Sequence, residues 1–309
     1  MTIPRVADYL LYLFSSQKLS PKSIEGHRTA IAHTLKFVCS EDFGKDTRLT
    51  ALIHSFFRER PKSLNSTPPW DLSVVLQALS KAPFEPIDNP DKVSLKLLTW
   101  KTVFLILLAS GCRRCEVHAL QFKKIQHEER WKWVTLFPLE SFVSKTQLRS
   151  SGASVLQPVN IKALSTVLSP DLTQDRALCP VRALKAYLAR TSHLRQDRKL
   201  LFVSIQEGHK GDIHPNTITG WIRKLIRFSY ECVDDASARL LGTSVHAIRG
   251  LAATLAFKGS APLEDVLQAC SWKGHNTFTS FYLKDVSGLS NDVYSFGPLV
   301  VARHIVTGQ

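Results

Sequence analysis

The chain has 309 residues, 44% of them hydrophobic, which is enough to fill one large core or two modest ones and too apolar for a disordered chain. Forty Lys and Arg against 26 Asp and Glu give a formal charge of +14, an excess that points to a polyanion, nucleic acid first and an acidic membrane surface second. No apolar run approaches the roughly 18 residues of a membrane span. The six cysteines lack the spacing of a disulfide framework, which fits reduced thiols in an intracellular protein.

The first stretch, MTIPRVADYLLYLF, has no small-residue cleavage site and reads as a helix rather than a signal peptide. Val6, Tyr9, Leu10 and Leu13 make its apolar stripe. KLSPKS breaks it, with Ser20 as N-cap and Pro21 at the first position of a second helix that carries Ile24, His27, Ile31 and Leu35. DTRLTALIHSFFRERP is a third helix, stopped by Pro61. The aperiodic, Pro-rich PKSLNSTPPW then reads as a linker over residues 63–70, between an all-helical module, 1–62, and a larger domain, 71–309.

The larger domain opens with a helix in WDLSVVLQALSKAPF. Next comes a nearly all-apolar helix in LKLLTWKTVFLILLASG, and a further helix in CRRCEVHALQF. Cys112, Cys115 and His118 invite a zinc reading, but zinc needs four ligands and no second Cys/His pair has a matching spacing. No metal and no cofactor are expected. RWKWVTLFPL, SFVSKTQL and VLQPVNI lean toward β-structure and predict a small sheet. CPVRALKAYLART, PNTITGWIRKLIRFSYECV, VHAIRGLAATLAF and APLEDVLQAC return to helix. In the second of these Ile218, Trp221, Ile222 and Leu225 form the apolar stripe. Arg223, Lys224 and Arg227 lie off it, as a solvated face or a DNA-facing one.

Groups able to hold a phosphate occur in a particular order. Arg113 and Arg114 follow Gly111 at a helix start, with Glu116 a turn later. Lys145 lies between two β-leaning segments, with Lys132 nearby. His246 and Arg249 share one helix face a turn apart, and an arginine there needs an acid, a carbonyl or a phosphate as partner. Trp272, His275 and Tyr282 come last. Tyr282 follows Phe278 and Phe281 at helical spacing and could equally be a core residue; Tyr294 lies farther on.

Taken together, SGCRRCEVHAL, HAIRG and WKGHNTFTSFYLKD resemble the arginine box, the His-x-x-Arg box and the tyrosine segment of tyrosine recombinases, the phage-integrase family. The helical module resembles the family's SAM-like core-binding domain, so the resemblance covers nearly the whole chain. FEP, CPVRAL, KGDI and NTFTSFYL are similar in phrasing to recombinases of DIRS-type retrotransposons and Crypton-like elements. The chain departs from the usual boxes at Cys112 and Gly250, neither of which removes a charged catalytic group, and at Lys273 and Gly274, which bear on the rigidity of the active-site turn.

The resemblance implies a mainly α fold with a small β-sheet: a core-binding domain followed by a catalytic domain. It implies cleavage of double-stranded DNA without metal or ATP through a 3′-phosphotyrosine. Tyr282 would be the nucleophile, and Arg113 and Arg249 would hold the phosphate. His246 would carry protons and Lys145 would protonate the leaving 5′-oxygen. Trp272 or His275 would fill the third phosphate-binding position, and Glu116 would orient Arg113, which fits the box better than Arg114. Further implications are a tetramer on two DNA sites, with the apolar tail GPLVVARHIV docked on a neighbour or on its own domain, and a nuclear location without a membrane. The alternatives are a catalytically silent DNA-binding protein derived from such an element, a type IB topoisomerase-like relaxing enzyme, which shares the chemistry, and a scaffold that binds no nucleic acid.

Overall fold

The computed structural model describes residues 2–39, 43–61, 70–143, 158–164, 173–195, 198–206, 208–209, 211–232, 245–258, 261–270, 272, 275–279 and 283. The chain divides into two compact units, Met1–Asn65 and Ser66–Gln309. The described residues are mainly helical, with one three-stranded antiparallel sheet.

The first unit is built from α1 (Ile3–Ser15), α2 (Pro21–Cys39) and α3 (Thr47–Glu59). Pro21 starts α2 at the position where its missing N–H costs nothing, and Ser20 Oγ accepts the Ser23 N–H at 3.2 Å. Asp46 caps α3, accepting the N–H groups of Arg48 at 2.9 Å and Leu49 at 3.1 Å. The stripes of the three helices meet in a core that contains Leu10, Ile24, Ile53 and Phe56. Phe14 and Phe56 stack with centroids 4.2 Å apart, and Arg60 lays its guanidinium 3.3 Å from the Phe14 ring centroid. The same guanidinium donates to the carbonyls of Phe14 and Leu19, so the end of α3 is tied to the end of α1.

The second unit is organised around α5 (Leu95–Ser110). Ser94 caps it, accepting the Leu97 N–H at 3.3 Å, and Gly111 ends it in a left-handed conformation at φ 57°, where a side chain would be strained. From Leu98 to Leu108 every residue is buried, as expected of a helix that is apolar all round. α5 packs against β3 (Val159–Lys162), α8 (Pro180–Arg190), α9 (Pro215–Glu231) and α10 (His246–Lys258). α4 (Leu72–Leu79) rests on α9, and α7 (Thr173–Leu178) precedes α8. Trp70, the last residue of the expected linker, is 3% exposed and tilts against Phe104 in this core; residues 62–69 lie outside the described set.

One charged residue lies in the buried run of α5. Lys101 is fully buried and donates to the carbonyls of Leu79 at 2.8 Å and Phe84 at 3.4 Å, and to the Glu85 carboxylate. Glu85 also accepts from Arg182 of α8 at 3.0 Å, and Arg182 reaches Asp88 at 2.7 Å. Burial pulls the Lys101 ammonium down to about 8, against the opposing pull of Glu85.

The helix expected in CRRCEVHALQF is cut short. α6 covers only Arg114–His118, and the chain enters β1 (Leu120–His127). Beyond Ala119 the backbone bonds run sideways: Leu120 pairs with Pro138 of β2 (Trp133–Pro138), and on its other side Phe122 N–H donates to Lys199 O at 2.9 Å. Lys123, Lys124 and Gln126 offer no helical apolar stripe to oppose this. β2 pairs with β3 through Val134↔Ile161 and Thr135↔Asn160. Residues 141–143 are not strand, because Phe142 N–H closes a turn onto Leu139 O at 3.0 Å; the rest of that β-leaning segment lies outside the described residues.

Candidate active site

The site begins where α5 stops. Gly111 turns the chain so that Arg113 becomes the N-cap of α6 and Glu116 its third residue. Glu116 reaches back and accepts the Arg113 backbone N–H on Oε2 at 2.7 Å. An arginine side chain has no acceptor with which to return that bond, so Glu116 alone makes the cap. Its other oxygen, Oε1, accepts Arg113 Nη1 at 2.6 Å. Backbone and guanidinium of Arg113 are therefore oriented by one carboxylate.

Arg249 arrives from α10, whose buried Ile248, Leu251 and Ala252 seat the helix in the core. Its Nη1 donates to Gly111 O at 2.8 Å and lies 3.8 Å from Glu116 Oε2. Its Nη2 donates to Cys270 O, at the end of α11 (Leu263–Ala269). Of the partners such an arginine could take, the described residues include the carbonyls of Gly111 and Cys270 and, farther off, the Glu116 carboxylate. Glu116 thus stands between two guanidiniums, and the three side chains sum to one positive charge. Arg249 is 3% exposed and Glu116 4%, so this charge acts in a poorly solvated place, where Coulomb terms are strong.

Trp272 completes the group. Its ring lies 4.8 Å from the Arg249 guanidinium carbon and stacks on Phe278 at 5.6 Å, and Phe278 meets Phe257 of α10 edge-on at 5.7 Å. Trp272 is 8% exposed, whereas His275 is exposed in the short helical turn His275–Thr277. His246 is exposed in the first turn of α10, three residues before Arg249. Arg113, Glu116, Arg249 and Trp272 are therefore brought together. Lys145, Tyr282, Tyr294 and the tail GPLVVARHIV lie outside the described residues.

Arg114 turns away from this group. Its Nη1 donates to Thr219 Oγ1 at 2.6 Å and Asn216 Oδ1 at 3.1 Å, both in the first turns of α9. Arg223, Lys224 and Arg227 are exposed on α9, opposite the buried Ile218, Trp221, Ile222 and Leu225. His118 bonds through Nε2 to Ile213 O at 2.7 Å, and among the described residues no cluster of His, Cys, Asp and Glu could hold a metal. No described helix is long and apolar enough to cross a membrane.

Sequence reasoning did not anticipate the carbonyls of Gly111 and Cys270, because a main-chain acceptor leaves no trace in residue type. It also missed the Asn216–Thr219 pair, whose only signal is a second arginine beside Arg113. No protein-family model matches the chain, and no curated protein matches it either.

Proposed function

We propose that the chain breaks and rejoins DNA strands through a 3′-phosphotyrosine, as the site-specific recombinase of a mobile element in the tyrosine-recombinase family. One observation carries the reading: Arg113 and Arg249, from distant parts of the chain, meet at Glu116 with Trp272 against Arg249. A pair of fixed guanidiniums with net positive charge suits a phosphate whose oxygens gain negative charge in the transition state.

In the proposed reaction the Tyr282 hydroxyl attacks the scissile phosphorus and gives up its proton, with His246 as the proton carrier. The bond to the 5′-oxygen breaks, and Lys145 protonates that oxygen. A second strand's 5′-hydroxyl later attacks the phosphotyrosine and restores both groups. Arg113 and Arg249 hold the two non-bridging oxygens, Glu116 fixes their orientation, and Trp272 or His275 fills the third position. Arg223, Lys224, Arg227 and the N-terminal helical unit, read as a core-binding domain, contact duplex DNA. The working assembly is a tetramer on two sites, in the nucleus.

A second reading is a DNA-binding protein that has lost catalysis. It is favoured by the burial of Arg249, whose Nη1 and Nη2 already bond main-chain carbonyls. Two assays separate the readings. Affinity for duplex DNA measured between 50 and 200 mM salt is expected to fall by about 10³-fold or more, as for six or more phosphate contacts. A plasmid carrying two copies of the element's terminus is expected to yield exchanged products. Relaxation without exchange would point to a topoisomerase-like enzyme, and binding with neither outcome to the silent protein. Failure to bind at low salt would remove every DNA-based reading.

A further inference from the structure

We infer that Arg114 is a positioning residue, a clamp that fixes the catalytic arginine's helix to α9; its catalytic consequence rests on the reading proposed above. α6 is five residues long, too short to be stable alone, and it carries Arg113 at its N-cap and Glu116 inside it. Something must hold its first turn against the rest of the unit. The Glu116 cap acts within α6; at the far end His118 bonds Ile213 O at 2.7 Å and Val117 is buried, which leaves the first turn to be tied.

Arg114, the first residue of α6, ties that turn to α9. Its Nη1 reaches Thr219 Oγ1 at 2.6 Å and Asn216 Oδ1 at 3.1 Å, more than one hundred residues away in sequence, and α6 packs on α9 along this line. The α9 end is itself rigid. Pro215 occupies its first turn, His214 accepts the Asn216 N–H at 3.1 Å, and Ile218, Trp221 and Ile222 anchor the helix in the core. Arg114 therefore fixes to α9 the turn that carries Arg113, beside the orientation that Glu116 gives. Adjacent arginines have separate tasks: Arg113 turns to Glu116, and Arg114 turns to α9.

The test compares wild type, Arg114→Met, Arg114→Lys, the acceptor pair Asn216→Ala/Thr219→Val, and the triple variant. Amide hydrogen exchange of Val117 and Ala119 is the readout independent of catalysis. Arg114→Met and the acceptor pair are each expected to speed that exchange by about tenfold or more while distant helices such as α8 keep their protection. The triple variant should add little, since both changes remove one interaction. Arg114→Lys, whose Nζ can donate to the same two acceptors, should restore most of the protection. Unchanged exchange in Arg114→Met overturns the clamp.

Catalysis is read as the single-turnover cleavage rate constant at saturating nicked duplex, beside the dissociation constant. The rate constant is expected to fall by about 10–100-fold in Arg114→Met, the effect of a small misplacement, with affinity within about threefold and partial recovery in Arg114→Lys. Weakened affinity with an unchanged rate constant would make Arg114 a DNA contact and overturn the positioning role. If wild type forms no adduct while Arg114→Met still loosens α6, the recombinase reading fails and the clamp stands.

Discussion

Arg249→Ala should both disable and destabilise the protein, and the two losses have one origin. The guanidinium is 3% exposed and bonds the carbonyls of Gly111 and Cys270. Truncating it removes a charged donor from both carbonyls and one of the two guanidiniums that face Glu116. Breaking a buried charge network from one side costs about 3–5 kcal/mol, which lowers the melting temperature of a unit this size by roughly 6–20 °C. At temperatures where the variant is folded, cleavage at saturating DNA is expected to fall by a further 10²–10³-fold or so, the usual loss when one fixed donor to a developing oxyanion is removed. Arg249→Lys separates the effects. It keeps the charge but cannot span both carbonyls, so it should recover part of the stability and little of the rate. Thermal unfolding and single-turnover cleavage on the same preparations would check this. A stable Arg249→Ala protein with full cleavage would show that this arginine is neither a staple nor a phosphate ligand.

Glu85→Gln is expected to be nearly as damaging although it lies in a different cluster. Lys101 has no exposure at all, and Glu85 is the carboxylate it shares with Arg182. Losing that charge leaves an ammonium buried among carbonyls, again at a cost of about 3–5 kcal/mol. Lys101→Met, which removes the charge that needs a partner, should be far milder, and the double variant should recover much of the Glu85→Gln loss. The pH dependence follows from the lowered Lys101 value. Below about 8 both folded and unfolded chains hold the proton, and the cost of burying it is constant. Between about 8 and the ordinary value of 10.5 the folded chain has released a proton that the unfolded chain still binds, so stability rises with pH. Tyr187, fully buried and pushed up to about 12 by desolvation, works the other way above pH 10, where the unfolded tyrosine ionises first. Denaturant unfolding between pH 7.5 and 9.5, wild type against Lys101→Met, isolates the lysine. A flat difference across that range would mean that Lys101 does not release its proton there.

The helices that the sequence made legible are those with an apolar stripe, or an apolar run, and a punctuation mark. α2 starts at Pro21 behind Ser20, α3 ends before Pro61, and α5 ends at Gly111, each where local chemistry dictates. β1 was not legible, because its pairing with residues 199–201 is long-range and Lys123, Lys124 and Gln126 break any alternation along it. Lys101 reads as an ordinary blemish in an apolar helix until Glu85, Leu79 and Phe84 are seen around it. At the site, the resemblance to the recombinase boxes, not side-chain spacing alone, selected Arg113, Glu116, Arg249 and Trp272 as companions. It could not show that Arg249 is gripped by two main-chain carbonyls, or that Arg114 belongs to α9, since both facts depend on chain crossings that residue types do not encode.

The central claim, phosphotyrosine chemistry driven by fixed cations, is tested most directly by trapping the intermediate. The full chain is mixed, with EDTA present, with nicked duplexes drawn from the element's own termini, wild type beside Tyr282→Phe, and resolved on a denaturing gel. The account predicts a covalent protein–DNA band that survives EDTA, is absent in Tyr282→Phe and is strongly reduced in Arg113→Ala. A band that persists in Tyr282→Phe would contradict the assigned nucleophile, and the absence of any band from a wild-type protein that binds the same duplex would contradict the cleavage reading itself.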